Sequence, residues 1–275
     1  MCTLTLAWQV FDDAPVAVAA NRDEALGRDS TPPAVFDDDP LIVAPQDAEA
    51  GGTWIGYNEN GVFAGITNKW TDAELAGERS RGLLVADVLE AASAADAAAS
   101  IEDAVETDEY DGFYLVVADA TDAFCYAWDG TLSRTEFDPG VHVVVNVAVD
   151  DAVDVPSIRP EAGRKQAANA RAVRTALEAK SGETVTEWLE RAGDVLGDHE
   201  YGVCIHRSGF GTRSSSLIAL GPETRRYAFA PGPPCRTNYE AVSVAAEDGV
   251  GVSPDVDAAD GVEGDGSAVD GEGHI

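Results

Sequence analysis

The chain has little positive charge. Its 275 residues include 18 lysines and arginines, only three of them lysine, against 50 aspartates and glutamates, so the formal net charge is −32. A protein that binds nucleic acid needs a basic surface to meet the phosphates, and this sequence offers none. We therefore expect no nucleic-acid partner. Such an excess of acid is typical of a halophilic protein, in which salt screens the repulsion between surface carboxylates.

Long apolar runs are also missing. No stretch approaches the roughly 18 residues that a transmembrane helix requires. The N-terminus lacks the basic start of a signal peptide, and its apolar character is interrupted by Gln9, Asp12 and Asp13. The sequence thus predicts a cytoplasmic protein with no membrane span.

Cysteine and histidine are few and scattered. The chain has four of each, with no CxxC pair and no spacing typical of a zinc knuckle or a disulfide framework. The absence of CxxCH excludes covalent attachment of a c-type haem. We therefore predict no metal site and no required cofactor.

Strand and turn patterns are plentiful. Residues 2–10 and 16–20 flank a turn-like FDDAP, and residues 53–57 and 62–67 flank NENG, in which Asn-Gly favours a tight turn. Both pairs predict β-hairpins. Further strands are predicted at 113–119, 123–128, 141–149, 201–207, 215–220 and 226–230.

Helix signals separate these groups of strands. Ser80 and Ser93 are predicted N-caps, Pro160 begins a third helix, and Thr184 with Glu187 forms a capping box for a fourth. Strands, helices, strands, helices and strands in this order indicate an α+β fold with mostly antiparallel pairing.

The composition changes near the C-terminus. From residue 243 the chain is rich in glycine, aspartate and alanine and has no lysine, arginine or aromatic residue. Such a segment cannot bury enough apolar surface to fold. We predict one domain over residues 1–242 and a disordered acidic tail over 243–275.

Cys2 is the first candidate for chemistry. Removal of Met1, which a small second residue permits, would leave a thiol and a free α-amine on adjacent carbons. The amine, whose pKa is ordinarily about 8, can act as the general base for the thiol. The alternative is a small buried strand residue, which is the commoner role of a cysteine at such a position.

A polar cluster, Asn21-Arg22-Asp23-Glu24, follows the strand that is predicted to pair back onto Cys2. The hairpin returns the end of its second strand to the start of its first, which puts the cluster beside the thiol. Arg22 is expected to lower the pKa of the thiol, and Asp23 to hold the protonated amine. The alternative is a charged turn that leaves a strand.

The cluster belongs to a longer series of motifs. In chain order these are MC (1–2), AANRDE (19–24), GGTWIG (51–56), GITN (65–68), SRGLLV (80–85), YDGFYL (110–115) and GTRSSS (211–216). Over residues 1 to about 220 the series resembles the NRDE family, also called the transport and Golgi organisation family.

The NRDE family in turn resembles the cysteine-dependent N-terminal nucleophile (Ntn) hydrolases, which include penicillin V acylases and choloylglycine hydrolases. The resemblance implies a four-layer αββα sandwich with an arginine and an aspartate beside the cysteine, asparagines that stabilise an oxyanion, and a later arginine. By motif position the catalytic set is Cys2, Arg22, Asp23, Asn68, Asn146 and Arg213. Binding or supporting positions are Asn21, Glu24, Trp54 and Thr67.

The resemblance implies two functions. One is a cysteine hydrolase or acyltransferase that acts on an amide or acyl small molecule. The other is a non-catalytic carrier of haem, acyl-CoA or another lipid in the same cleft, as linked to eukaryotic family members. A purely structural role for the polar cluster is a third interpretation. The expected partner is thus a small-molecule substrate or a hydrophobic ligand, and haem is expected at most as a ligand.

The charge balance predicts how salt affects stability. Raising NaCl from about 0.1 M to about 1 M shortens the Debye length from roughly 10 to 3 Å and screens repulsion between carboxylates. The midpoint of thermal unfolding, followed by circular dichroism, should therefore rise over this range. A midpoint that stays constant or falls would contradict the halophilic interpretation.

Overall fold

A computed structural model describes residues 2–243, which contain sixteen strands and four helices. The strands are β1 (Thr3–Phe11), β2 (Ala14–Ala25), β3 (Ser30–Asp38), β4 (Leu41–Asp47), β5 (Ile55–Asn58), β6 (Phe63–Asn68), β7 (Phe113–Ala118), β8 (Ala123–Trp128), β9 (Leu132–Glu136), β10 (Gly140–Val145), β11 (Ala148–Val149), β12 (Ala152–Val153), β13 (His206–Arg207), β14 (Phe210–Leu220), β15 (Arg225–Ala230) and β16 (Glu240–Ala241). The helices are α1 (Arg81–Val88), α2 (Ala94–Thr107), α3 (Pro160–Leu177) and α4 (Val185–Gly197).

The strands form two antiparallel sheets. The first has the order β12-β11-β10-β1-β2-β14-β15-β16, with β13 paired to β14, and the second has the order β3-β4-β5-β6-β7-β8-β9. Helices α3 and α4 pack on the first sheet, and α1 and α2 pack on the second. The layers therefore run α, β, β, α, which confirms the predicted four-layer sandwich.

Strand β1 shows how the layers are held together. Leu4, Leu6 and Trp8 belong to the apolar cluster between the two sheets, whereas Ala7 belongs to the cluster beneath α3 and α4. Side chains alternate between the two faces of a strand. The same alternation puts Cys2 on the face that meets the second sheet.

The predicted helix starts are confirmed. The Oγ of Ser80 accepts from the amide of Gly82 at 3.2 Å, and the Oγ of Ser93 accepts from the amide of Asp96 at 3.1 Å. Thr184 and its partner Glu187 form the predicted capping box at the start of α4. These side chains satisfy amides that the first turn of a helix leaves without partners.

Two strand predictions need correction. The predicted strand at 201–207 is wrong, because the chain forms a 3-10 turn at His199–Tyr201 and only His206–Arg207 pair with β14. Gly202, in the left-handed region with φ 64°, ends that turn. The predicted strand at 141–149 is interrupted after Val145, and β11 begins at Ala148.

Three strands of the second sheet were not predicted. Strand β3 contains Pro32 and Pro33, and β9 is mostly polar and exposed. Both are edge strands, where proline is tolerated and alternation of apolar residues is weak. Strand β4 joins β3 to the rest of the sheet and ends at Asp47.

No helix within residues 2–243 combines the length and the apolar character that crossing a membrane requires. The acidic tail predicted over 243–275 lies, apart from residue 243 itself, outside the described residues.

The glycines of GGTWIG and SRGLLV meet backbone to backbone. A Cβ on Gly52 would lie 2.2 Å from the carbonyl carbon of Gly82 and 2.4 Å from its oxygen. The amide of Thr53 donates to the same carbonyl at 2.9 Å. This contact fixes the start of α1 against the segment that leads into β5.

Gly52→Ala should therefore lower the free energy of unfolding by about 3 kcal/mol, because two backbone segments must separate to admit one methyl group. Urea unfolding measures the change. Gly27→Ala is the matched control, since a Cβ there meets nothing within 4 Å, and it should stay within about 0.5 kcal/mol of the wild type. Equal effects of the two substitutions would contradict the backbone contact.

Candidate active site

The first hairpin positions Cys2. Thr3 pairs with Asn21, so the preceding residue, Cys2, lies opposite Arg22. The Sγ of Cys2 is 3.7 Å from the backbone oxygen of Asp23. The predicted return of the hairpin onto the thiol is therefore confirmed, because residues 3–8 pair with residues 16–21 without a register shift.

A small cavity adjoins the thiol at the end of the interface between the sheets. Its volume is ≈ 20 Å³, room for about one water molecule. Strands β1, β2 and β14 supply one wall, and the residues around β5 and β6 supply the other. Of the sequence-predicted residues, those that line it are Cys2, Asn21, Arg22, Trp54 and Thr67.

Arg22 crosses from one sheet to the other. Its Nη2 lies 3.2 Å from Oδ2 of Asp47 in β4, and its guanidinium carbon lies 4.1 Å from the ring centroid of Trp54. Burial lowers the pKa of Arg22, although nearby acidic groups oppose the change, and an arginine stays charged in proteins. Among residues 2–243, no group accepts a hydrogen bond from its buried Nη1.

Two buried hydroxyl groups also lack a hydrogen-bond partner in the described part of the chain. They are the Oγ1 of Thr67 and the Oγ of Ser214. Ser214 pairs with Arg22 across β14 and β2, and directly opposed residues share a face of the sheet. Cys2, Arg22 and Ser214 thus form one row across three adjacent strands.

Asp23 points to the other face of β2. Its Oδ1 accepts a hydrogen bond from the Oγ1 of Thr212 at 2.5 Å. Burial raises the pKa of the Asp23 carboxyl, and the positive amino terminus together with the bond from Thr212 opposes that rise. Thr212 itself is held by the amide of Ile205, which donates to the same hydroxyl at 2.8 Å.

Two opposing influences act on the Cys2 thiol. Burial raises the pKa of Cys2, even though the positive amino terminus and Arg22 act to lower it. Arg22 thus acts in the predicted direction, and the predicted acidity of a Cys2 that bears its own free α-amine stays a prediction. Removing the thiolate from water costs more than the neighbouring charges return.

The asparagines predicted to stabilise an oxyanion lie outside the ring of residues that lines the cavity. Asn68 ends β6 with its side chain exposed, and its backbone oxygen accepts from the Nδ2 of Asn146 at 2.6 Å. The Oδ1 of Asn146 accepts from the Nε2 of Gln166 at 2.8 Å. Their catalytic roles stay predictions from the resemblance.

Glu24 and Arg213 also lie outside that ring. The Oε2 of Glu24 is 4.0 Å from Nη1 of Arg28. Arg213 is the extra residue of a β-bulge in β14, and its Nη1 donates to the backbone oxygen of Leu26. The bulge turns Arg213 away from the row that contains Ser214.

Sequence reasoning missed Asp47 and Arg81. Arg81 belongs to the SRGLLV motif, which was the signal available, and its Nη1 donates to the backbone oxygen of Gly112 at 2.8 Å. Burial lowers the pKa of Arg81, while the charges of Asp111 and of the Cys2 thiolate oppose the change. The buried Arg22 and the half-buried Arg81 therefore both lie close enough to Cys2 to interact with its charge.

Asp47 holds this side of the site together. It accepts from the Nε of Arg28 at 2.7 Å, from Nη2 of Arg22, and from the amides of Glu49 and Ala50 at 3.1 and 2.9 Å. Although burial acts to raise its pKa, the bonds from Arg28 and from the backbone hold the pKa of Asp47 below 3.8, its ordinary value.

Asp47→Asn should lower the free energy of unfolding at neutral pH by about 3 kcal/mol, because two arginines lose their anionic partner. Since the folded-state pKa of Asp47 lies below its unfolded value, this advantage is complete above pH 3.8 and is lost as the pH falls through the folded-state pKa. Urea unfolding of both proteins from pH 7 downwards measures it. The exposed Asp12→Asn is the control, and a constant difference between Asp47→Asn and the wild type would contradict the linkage.

Comparisons with known proteins agree with this fold. The family model described as Transport and Golgi organisation 2 matches residues 1–229. The mouse "Transport and Golgi organization 2 homolog" is 31% identical over 131 residues, which are 42% of this chain and 47% of the mouse protein. The chain thus matches about half the length of that relative.

Two solved structures are similar at the level of the fold. Penicillin V acylase from Agrobacterium tumefaciens has a TM-score of 0.50 at 14% identity, over 84% of this chain and 83% of the acylase. The Caenorhabditis elegans ortholog of N-acylethanolamine-hydrolyzing acid amidase has a TM-score of 0.55 at 12% identity, over 81% of this chain and 94% of the amidase. With the family model matched over residues 1–229, this protein belongs to the Transport and Golgi organisation 2 family and has an Ntn-hydrolase-like fold.

Proposed function

We propose that the protein is a cysteine Ntn hydrolase that acts on an amide or acyl small molecule. The observation that carries the proposal is that Arg22 lines the cavity beside the Cys2 thiol and that its buried Nη1 has no acceptor among residues 2–243. A buried donor without a partner costs about 1–3 kcal/mol. A carbonyl oxygen bound beside the thiol would supply the missing acceptor.

Because burial raises the pKa of the Cys2 thiol, the reaction needs a base that removes the thiol proton. Removal of Met1 leaves an α-amine on Cys2 itself, and this amine accepts the proton of the thiol as the sulfur attacks the carbonyl carbon. The carbonyl oxygen takes up the negative charge of the tetrahedral intermediate. Collapse of the intermediate breaks the bond to the leaving amine, which receives the proton, and a thioester on Cys2 remains. Water then hydrolyses the thioester and frees the acid and the thiol.

The donors that line the cavity suit the charge that develops. Arg22 and Thr67 line the cavity together with Cys2, and Arg22 Nη1 and Thr67 Oγ1 are buried donors with no hydrogen-bond partner in the described residues. Donors that are already fixed before reaction cost no reorganisation in the transition state. Trp54 and Asp47 hold the guanidinium in place from two sides.

The size of the cavity bears on the carrier alternative. A volume of ≈ 20 Å³ admits about one water molecule, so haem, acyl-CoA or another lipid needs a much larger opening than a carbonyl group does. A carrier also needs neither a free α-amine nor a thiol. The names of the two solved neighbours, an acylase and an amidase, fit the hydrolytic alternative.

The nucleophile can be tested by mass. The purified chain should lack Met1, and incubation with N-acyl p-nitroanilides of short and long acyl chains should release nitroaniline and add one acyl group to Cys2. Cys2→Ala should abolish both signals. Arg22→Lys should lower kcat/KM by about 100-fold, because Nη1 is lost while the charge is kept. Cys125→Ala, a buried cysteine in the neighbouring core, is the control that should retain turnover.

One combination of results would contradict the proposal. Retention of Met1, together with acyl compounds that bind tightly but never acylate Cys2, would overturn the hydrolase proposal. That result would make a carrier the better account of the same cavity.

A further inference from the structure

Two histidines and two cysteines meet at a place remote in sequence from the polar cluster at 21–24. Their ligand atoms all lie within 4.8 Å of one another, and the four residues are His199, Cys204, His206 and Cys235. We propose that they form a zinc site, with all four positions of the metal filled by protein ligands. This inference is independent of the proposed hydrolase activity.

Two of the distances between ligand atoms are close to those of a tetrahedral zinc site. With Zn–S of about 2.3 Å and Zn–N of about 2.0 Å, neighbouring sulfur and nitrogen ligands lie about 3.6 Å apart. The Nε2 of His206 is 3.6 Å from the Sγ of Cys204 and 3.2 Å from the Sγ of Cys235. The ring of His199 lies edge-on to that of His206, with centroids 5.3 Å apart.

The chemistry of the four ligands selects the metal. Two thiolates and two imidazoles form the Cys2His2 set of structural zinc sites, whereas calcium and magnesium require oxygen ligands. Cys204 is buried and Cys235 is partly buried, while both histidines are exposed. A cation can therefore approach the two exposed histidines from solvent and then bind the two sulfur atoms, which are more shielded.

The four ligands come from two separate parts of the chain. His199, Cys204 and His206 lie between α4 and β14, and Cys235 lies in the loop after β15. That loop packs against the end of α4, since a Cβ on Gly197 would lie 3.3 Å from the amide nitrogen of Cys235. A zinc ion would fasten the loop to the segment that precedes β14.

The same segment supports the candidate active site. The Nδ2 of Asn21 donates to the backbone oxygen of Val203 at 3.0 Å, and the amide of Ile205 binds the Thr212 hydroxyl that donates to Asp23. Residues on both sides of Cys204 are therefore bonded to the polar cluster. A bound zinc ion would therefore stabilise residues 203–205, which bind Asn21 directly and Asp23 through Thr212.

Zinc binding is tested on the full chain, reduced with a phosphine and freed of metal with a chelator. Added zinc should bind at one ion per chain, measured by mass spectrometry of the metal, and should raise the midpoint of thermal unfolding by several degrees. Cobalt in place of zinc should give the intense visible absorption of a tetrahedral site with thiolate ligands. His199→Ala and Cys235→Ser should each weaken zinc affinity by at least about 100-fold.

Both substituted side chains are at least partly exposed, so these variants should keep the fold, which circular dichroism verifies. Cys125→Ser and His142→Ala are matched controls that change the same residue types elsewhere and should bind zinc like the wild type. Reduced wild type that binds no zinc, or binding that survives Cys235→Ser together with His199→Ala, overturns the proposal. A Cys204–Cys235 disulfide that forms in the presence of zinc and leaves no metal bound also overturns it.

Discussion

The site depends on one ion pair that joins the two sheets. Arg22 belongs to the first sheet, and its guanidinium is held by Asp47 of the second sheet and by the ring of Trp54. Burying the charge of Arg22 alone would cost several kcal/mol, so Arg22 requires Asp47. The position of the guanidinium beside the Cys2 thiol is thus set by contact between the sheets.

Strand β14 connects the parts of the molecule that matter for chemistry. Thr212 holds Asp23, Ser214 stands in the row with Arg22, and Ser216 lines the cavity. Because Arg213 is an extra residue in β14, Thr212 and Ser214 pair with two consecutive residues of β2, Asp23 and Arg22. Thr212, Ser214 and Ser216 of the GTRSSS motif therefore lie at the candidate active site, whereas its arginine binds the backbone oxygen of Leu26.

Local patterns of the sequence predicted the α+β order of the elements, two hairpins and the meeting of Cys2 with residues 21–24, because alternation, turn chemistry and capping are local. The four layers were implied by the family resemblance. Asp47 was missed because its hairpin contains adjacent prolines and lies at the edge of the sheet. The raised pKa of Cys2 was missed because burial depends on the opposite sheet. The His-Cys cluster was missed because Cys235 lies far along the chain from the segment that contains the other three residues.

The contact between Gly52 and Gly82 has a mechanical consequence. Arg81 is adjacent to Gly82 at the start of α1, and Trp54 is two residues beyond Gly52, so both side chains near Cys2 are carried by segments in direct backbone contact. Neither segment can shift without the other, because no flexible side chain lies between them to absorb the movement. A displacement of residues 51–55 that widened the cavity would therefore carry the start of α1 with it.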